Sequence, residues 1–429
     1  MSAGILFVLF FVLLAFAIPI SSTLGIVSIV PSLLNSSFPA NGQYVIRAMF
    51  AGMDSFPLLA VPMFILSGIL MARGGVSKKL FNVFSYFIGD KTAGMPCAVV
   101  ITCLFYGAIS GSAPATVAAV GSMTIPILIN LGYDKVFTTA LVAVAGGLGV
   151  IIPPSIPFII YGMSTGTSVG ELFIAGVVPG LLIGSLLMLY AYYYCKKNGE
   201  DKEKINASVK ELRDKGFWAV MKDSSWALLT PVIILGSIYS GIASPTEAAV
   251  FSVIYALIIS LFVYKSLEVK DLWKIFVEAV RTYTPLLFII SAAIAFSRVL
   301  TLLQVPQTVA AAITSTFSGK VAILLIINAF LLFVGMVMDT TPAILILSPI
   351  FMPIIQAIGV NPIHFGVIMV VNLAIGFVTP PVGVNLFVAS SLTGVPVMNI
   401  ARKAIPLIVM FLIALLFITF IPAISLVLV

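Results

Sequence analysis

Charge is scarce in this chain of 429 residues: Asp, Glu, Lys and Arg make up 9% of it, against 61% hydrophobic residues, whereas a soluble domain carries about 25% charged residues. That excludes a soluble globular domain and defines an all-α polytopic membrane protein, with the lipid bilayer as its first partner. Histidine occurs once and cysteine three times, at Cys97, Cys103 and Cys195, in or beside apolar segments and without metal-ligand spacing. A zinc site and a disulfide framework are therefore excluded as organising chemistry, and the cysteines read as packing residues. The net charge of +7 would point to nucleic acid in a soluble chain; here the basic residues fall in short loops, where they set topology, and no nucleic-acid partner is expected. A Walker A loop is missing, because "SGKV" around Lys320 lacks the upstream Gly and the following Ser or Thr, which argues against an ATP-driven pump on this chain. An intramembrane enzyme would need a nucleophile, base or metal cluster, and no convergent His, Cys or acidic set is seen. The expectation is a protein that is not an enzyme and has no organic cofactor. The opening stretch "MSAGILFVLFFVLLAF" lacks a basic n-region and a small-residue cleavage pattern and reads as a retained membrane helix.

What is present is a series of apolar spans, near residues 3 to 19, 21 to 35, 56 to 73, 136 to 163 and 172 to 195, then 226 to 241, 246 to 264, 284 to 303, 362 to 390 and 402 to 426. Several are shorter than the usual ~20 residues, which implies tilt or local thinning. Amphipathic stretches from Gly75 and from Glu268 place Lys and Arg beside Phe, Trp and Tyr, as in helices lying at the interface. A polar stretch of both charge signs, 196 to 223, divides the chain into a first unit (1 to 195) and a second (224 to 429).

The two units resemble each other. Pro19 pairs with Pro245, "FILS" from Phe64 with "FIIS" from Phe288, Pro114-Ala115 with Pro342-Ala343, Gly149 with Gly376, Pro153-Pro154 with Pro380-Pro381, and Pro179 with Pro406, at separations of about 224 to 228 residues. Five crossings per unit turn the second copy upside down, giving an inverted-topology repeat, a plan shared by many secondary transporters. Arg73, Lys78, Lys79, Lys91, Lys135, Lys196, Lys197, the polar linker, Lys265, Lys270 and Lys274 all fall on one side in this count, which the positive-inside rule makes cytoplasmic. Both termini then lie outside. Arg47 and Lys320 are isolated exceptions.

Two further segments are too long for one helix and too polar in the middle for ordinary pairs of spans. From 96 to 131 apolar arms flank "SGSAPAT", and from 321 to 358 they flank "MDTTPA". Two full crossings with an exposed turn would leave the same orientation; re-entrant hairpins ending near the bilayer midplane are favoured because discontinuous segments build transporter sites. The spans at 136 to 163 and 362 to 390 are interrupted by "GVIIPPS" and "GFVTPPVG". Proline removes a backbone donor and clashes with the preceding turn, so these helices break and free carbonyls that coordinate small cations. Each break has a hairpin tip as its expected partner in the same half. This predicts two related cation sites, one from Ser110, Gly111, Ser112, Gly149 and Ile152, the other from Asp339, Thr340, Thr341, Gly376 and Thr379. A single Ser or Thr in a helix would by default bond its own backbone; the repeated arrangement is what singles out the set.

Charges inside spans are few. Arg298 and Asp339 are the clearest, with Glu171 and Glu247 nearer segment ends, and a charge within a span costs at least ~2.5 kcal/mol and so faces a partner or a cavity. Arg298 suits either a bidentate contact to a substrate carboxylate or an ion pair with Asp339. His364, near the outer end of its span, reads as interfacial.

Taken together, the "GSAPA" and "DTTPA" tips, the two proline breaks and the proline-led final spans resemble the large membrane subunit of tripartite ATP-independent periplasmic (TRAP) transporters, over essentially the whole chain. The resemblance implies a sodium-coupled elevator transporter in a bacterial inner membrane, with both termini periplasmic. It further implies a small four-helix membrane subunit and a periplasmic substrate-binding protein as partners, and a carboxylate substrate such as sialic acid, a C4-dicarboxylate or a keto acid. It places Ser112, Ser155, Arg298 and Asp339 near the substrate path and makes Na+ the coupling ion. A self-sufficient sodium–carboxylate symporter is the alternative within transport.

Overall fold

The computed structural model of the protein describes residues 3–317 and 319–429; Met1 and Ser2 of the opening stretch, and Ser318 of "SGKV", lie outside the described residues. Among the described residues every regular element is a helix. In the first half, α1 (Ala3–Ala15), α2 (Ile20–Leu34) and α3 (Gly42–Met53) precede α4 (Ala60–Arg73), which a 3-10 turn at Phe56–Leu59 extends backwards, and α5 (Val76–Ile88). α6 (Gly94–Ser110) and α7 (Ala113–Asn130) form a helical hairpin. α8 (Lys135–Ala145) runs through a 3-10 turn, Gly146–Val150, and an unwound stretch into α9 (Ile156–Thr165), and α10 (Val169–Asn198) follows. α11 (Lys202–Asp214) is the ordered middle of the polar linker. The second half contains α12 (Phe217–Tyr239), α13 (Pro245–Ile258) continued by a π turn, α14 (Val269–Leu302) and α15 (Val305–Thr316). Its hairpin is α16 (Lys320–Val337) with α17 (Thr340–Ala357), its broken helix α18 (Pro362–Gly376) with α19 (Val384–Thr393), and α20 (Val397–Phe420) and α21 (Ala423–Leu426) end it.

Nine helices among the described residues are long and apolar enough to cross a membrane by length and composition, so the chain is a multi-pass membrane protein. Two acidic residues near segment ends have local reasons to be there. Glu247 completes a capping box with Ser244 at the start of α13, and Glu171 sits in the first turn of α10, where a carboxylate faces the positive end of the helix dipole. The stretch from Glu268 and the span after it, separate in the sequence reading, form one helix, α14, which passes straight through Pro285. In the turn before this proline, the Thr282 and Thr284 hydroxyls donate to the Glu278 and Val280 carbonyls at 2.8 and 2.7 Å, bonding within their own helix.

Packing is crosswise between the halves. α4 packs on α13 and α2 on α14; α9 packs on α17 and α19 on α7; α8 packs on α20 and α18 on α10. The first segments of both broken helices are the interior of the molecule: every residue from Phe137 to Ala145 and from Ile363 to Gly376 is buried, as expected for helices apolar all round. Exposed Val232, Phe262 and Phe50 lie on outer helices. α11 is docked rather than free, with Ile205 and Val209 buried and Arg213 donating at 3.0 Å to both carboxylate oxygens of Asp90.

Candidate functional site

In the first half α6 ends at Ser110, Gly111 turns the chain at φ +60°, and Ser112 is the extended residue from which α7 starts, with a proline in the first turn. The left-handed turn and the N-terminal proline are local causes for a tight tip. Ser110 Oγ lies 2.9 Å from Thr116 Oγ1, and Thr116 Oγ1 donates to the Ser112 carbonyl at 2.8 Å. The tip is seated on the break: Ile156 N donates to the Gly111 carbonyl at 3.3 Å, and a Cβ on Gly149 would fall 2.3 Å from Thr116 Oγ1 and 2.7 Å from the Ser112 carbonyl oxygen. The Ile152 side chain fills the space beside Gly180, where a Cβ would meet its Cδ1 at 2.2 Å. Only the backbone of Ile152 is available to a cation.

The second half repeats this seating with different side chains. Asp339 precedes α17, and its Oδ1 accepts from Thr340 N at 2.6 Å and from the Thr340 hydroxyl at 3.3 Å. A Cβ on Gly376 would fall 2.1 Å from the Gly335 carbonyl oxygen, and Val382 N, just past the two prolines, donates to the Met336 carbonyl at 3.1 Å. Thr379 donates its hydroxyl to the Ile375 carbonyl at 2.8 Å. Among the described residues no group of three or more His, Cys, Asp or Glu could hold a metal ion. Both tips instead offer hydroxyls and carbonyls, with one carboxylate, an all-oxygen set suited to a hard monovalent cation.

Both tips face one cavity of about 880 Å³. Ser110, Gly111 and Ser112 line it, as do Asp339, Thr340 and Thr341; α4 and α14 add wall through residues such as Ile65, Gly68, Pro285 and Ile289, and α7 and both broken helices add more, through Ala118, Ile156 and Phe377. Gly149, Ile152, Gly376 and Thr379 are not part of the lining; they belong to the breaks on which the tips rest. Ser155 is fully buried, its hydroxyl donating to the Val150 carbonyl while it accepts from Phe158 N to cap α9, and it does not reach the cavity. Arg298 is exposed on α14, outside the lining, and is not paired with Asp339. Besides Asp339, the charged residues lining the cavity are Arg73, Lys78 and Glu278, with Arg73 ion-paired to Glu278. Arg73 ends α4 and Lys78 lies in the first turn of α5, positions that the sequence assigns to topology, while Glu278 lies within α14. Thr116 was also passed over, although it lies four residues after Ser112 in "SGSAPAT", the spacing that lets its hydroxyl reach back one turn.

A second polar group is unconnected to the cavity lining. His364, near the start of α18 and buried within the protein, places Nε2 3.3 Å from the Thr419 carbonyl; Asn328 donates to the Thr419 hydroxyl at 3.0 Å, and Asn372 donates to Asn328 Oδ1 at 2.8 Å. These bonds tie α16, α18 and α20 to one another.

Paired helical hairpins seated on paired broken helices, inside a shell of apolar spans, define a polytopic membrane protein of transporter architecture. The chain matches the family described as tripartite ATP-independent periplasmic transporter, DctM component, over residues 7–424, and belongs to it. It is 45% identical, over 98% of its length, to the isethionate TRAP transporter permease protein DctMQ of Oleidesulfovibrio alaskensis, of which it spans 65%. It is 43% identical to the C4-dicarboxylate TRAP transporter large permease protein DctM of Pseudomonas aeruginosa, covering 88% of this chain and 87% of that one. To the sialic acid TRAP transporter large permease protein SiaM of Vibrio cholerae it is 34% identical, covering 97% and 96%. Among solved structures, the Alcanivorax borkumensis YdaH transporter superposes with a TM-score of 0.64 at 15% identity over 88% of both chains, and Neisseria gonorrhoeae MtrF with 0.65 at 13% identity over 93% of both. At those identities the likeness is one of fold.

Proposed function

We propose that this chain is the transport-carrying subunit of a sodium-driven importer of small organic anions, working with a small membrane subunit and a periplasmic binding protein that delivers the substrate. The observation that carries this reading is the convergence of both hairpin tips on one cavity. Two oxygen-lined tips, each seated on a proline break, give a place for a coupling cation on either side of a shared substrate space. The crosswise packing of α4 on α13 and α2 on α14 is what an inverted-topology repeat produces, and it supports α4 and α14 as a scaffold past which hairpins and broken helices move together in an elevator step. Arg73 and Lys78, which line the cavity, are residues the positive-inside rule assigns to the cytoplasm, which supports release of an anion on that side. The relatives' names span a sulfonate, a C4-dicarboxylate and a sialic acid, so the substrate class is a carboxylate or sulfonate of modest size. Sialic acid is one member of that class.

The test is uptake into proteoliposomes holding this chain and its small membrane partner, across a panel of labelled carboxylates and sulfonates, with and without a sodium gradient and with and without the soluble binding protein. Uptake of at least one anion should need both. Uptake indifferent to sodium would overturn the coupling, and equal uptake without the soluble protein would move the assignment to a self-sufficient symporter.

A further inference from the structure

We propose that Asn385 and Tyr161 are positioning residues that couple the two cation sites, so that filling one raises the affinity of the other. The proposal rests on the two-site sodium reading given above and adds the route by which the sites communicate.

Asn385 is the second residue of α19, directly after Gly383, which turns the chain at φ +48°. Its backbone N–H donates to the Phe377 carbonyl at 3.0 Å and closes the loop of the second break. Its side chain leaves that half of the molecule: Nδ2 donates at 3.0 Å to the Ala143 carbonyl on α8, three residues before the 3-10 turn that carries Gly149. One residue therefore holds the second break shut and grips the approach to the first. Tyr161 makes the reciprocal bond. It lies on α9, downstream of the first break, and its hydroxyl donates at 2.7 Å to the Pro362 carbonyl, at the start of the helix that ends in Gly376. Its ring is fitted against Gly366, where a Cβ would fall 2.6 Å from Cε1. In each case the downstream segment of one broken helix is hydrogen-bonded to the upstream segment of the other.

Helical segments in a close-packed interior move as units, so a shift of one break is passed on through such bonds. Packing alone does not account for the asparagine. Asn385 is fully buried, and its Oδ1 has no hydrogen-bond donor among the described residues, an arrangement that costs stability and that a leucine of similar size would avoid. What the amide does supply is the bond across the halves.

The experiment is equilibrium binding of radiolabelled sodium to the purified complex of this chain with its small membrane partner, at constant ionic strength, for the wild type, Asn385→Leu and Tyr161→Phe. The wild type should bind with a Hill coefficient of about 1.7, as about 25-fold coupling between two sites gives. Both variants should fall toward about 1 with the same number of ions bound at saturation, and half-saturation should rise about 5-fold, the square root of that coupling, which lies inside the ordinary range. Wild-type cooperativity in the variants would overturn the proposal. So would a loss of binding capacity, because the bonds would then shape the sites rather than connect them. A wild type with no saturable sodium binding is a different result, which removes the two-site reading and this proposal with it. Should Asn385→Leu fail to fold, Tyr161→Phe, which deletes a single hydroxyl, decides alone.

Discussion

In the first half a Cβ on Gly107 would fall 2.9 Å from the Gly149 Cα; in the second, a Cβ on Gly376 would fall 2.1 Å from the Gly335 carbonyl oxygen. The two close approaches recur at nearly one spacing, 335 − 107 = 228 and 376 − 149 = 227 residues. The polar groups around them do not recur. The first tip is a set of hydroxyls, Ser110 and Thr116 bonded together, whereas the second is organised by the Asp339 carboxylate at the start of α17. Backbone contact between hairpin and break is thus the shared element, and the side chains are free to differ. A cation held at the second tip meets a formal negative charge that the first tip lacks, so the two sites should differ in affinity while keeping one geometry.

The largest effect expected is from closing the shared approach. In Gly376→Ala the new methyl meets Gly335 backbone, with no side chain able to yield, and overpacking of this kind costs about 1–3 kcal/mol or more. Sodium-driven uptake should fall roughly 100-fold, with a lower melting temperature. Gly149→Ala meets Thr116 Oγ1 at 2.3 Å and the Ser112 carbonyl oxygen at 2.7 Å, atoms of a hairpin tip that can shift, and should lose about tenfold less. If Gly149→Ala proves the more damaging, the backbone contact is not the common element.

Next in size is the carboxylate. Asp339→Asn keeps shape and removes charge; losing a charge-assisted contact of about 1.5–3 kcal/mol raises half-saturating sodium on the order of 10- to 100-fold. Thr116→Ala, the matching change at the uncharged tip, removes a neutral hydroxyl contact of about 1 kcal/mol and should raise it roughly 5-fold. Sodium titrations of uptake at saturating substrate measure both. Equal shifts would mean that the carboxylate does not distinguish the two sites.

The turns of both hairpins were legible because their chemistry is local: "SGSAPAT" holds a left-handed glycine and a proline at the helix start, and "MDTTPA" an acidic cap. The breaks were legible for the same reason, two adjacent prolines within an apolar run. The partners of Gly149 and Gly376 were not, because Gly107 and Gly335 carry no mark of their own; only the approach of two distant helices makes them necessary. Arg298 drew notice as a charge inside a span, yet α14 presents it away from the cavity. Arg73 and Lys78 read as topology residues alone, because a basic charge at a helix end is ordinary in a linear sequence, and Glu278 carries no mark within its amphipathic stretch; only packing brings the three to one space. The continuity of α14 through Pro285 is not legible in the sequence because the composition changes there, from a charged amphipathic stretch to an apolar span, while the helix itself continues.

The smallest effect concerns how the two hairpins are held at their bases. The second is closed from within, Lys320 Nζ donating to the Gly359 carbonyl at 3.3 Å. The first is closed by the linker: the nearly buried Glu200 carboxylate accepts from Ala93 N at 3.0 and 3.1 Å, just before α6, and from the Tyr133 hydroxyl at 2.7 Å, just after α7. Burial, and then the bond to Glu200, push the Tyr133 phenol up from its ordinary range, so it remains a donor through neutral pH. The adjoining Asp90–Arg213 pair fastens α11, and the Arg213 hydrogen bond, opposed in part by burial, holds the Asp90 carboxyl below the usual carboxylate range. Because the folded value is the lower one, the pair's contribution is fully present above about pH 4 and is lost only as pH falls through the depressed value. Both side chains are more than a third exposed, so that contribution is below about 1 kcal/mol. Amide exchange in α11, corrected for its intrinsic pH dependence, should therefore be unchanged between about pH 6 and 8, while Arg213→Ala speeds it by no more than about 5-fold. Protection that falls on going from pH 8 to pH 6 would show that another group fastens the linker, and that the first hairpin's base is held by something other than this pair and Glu200.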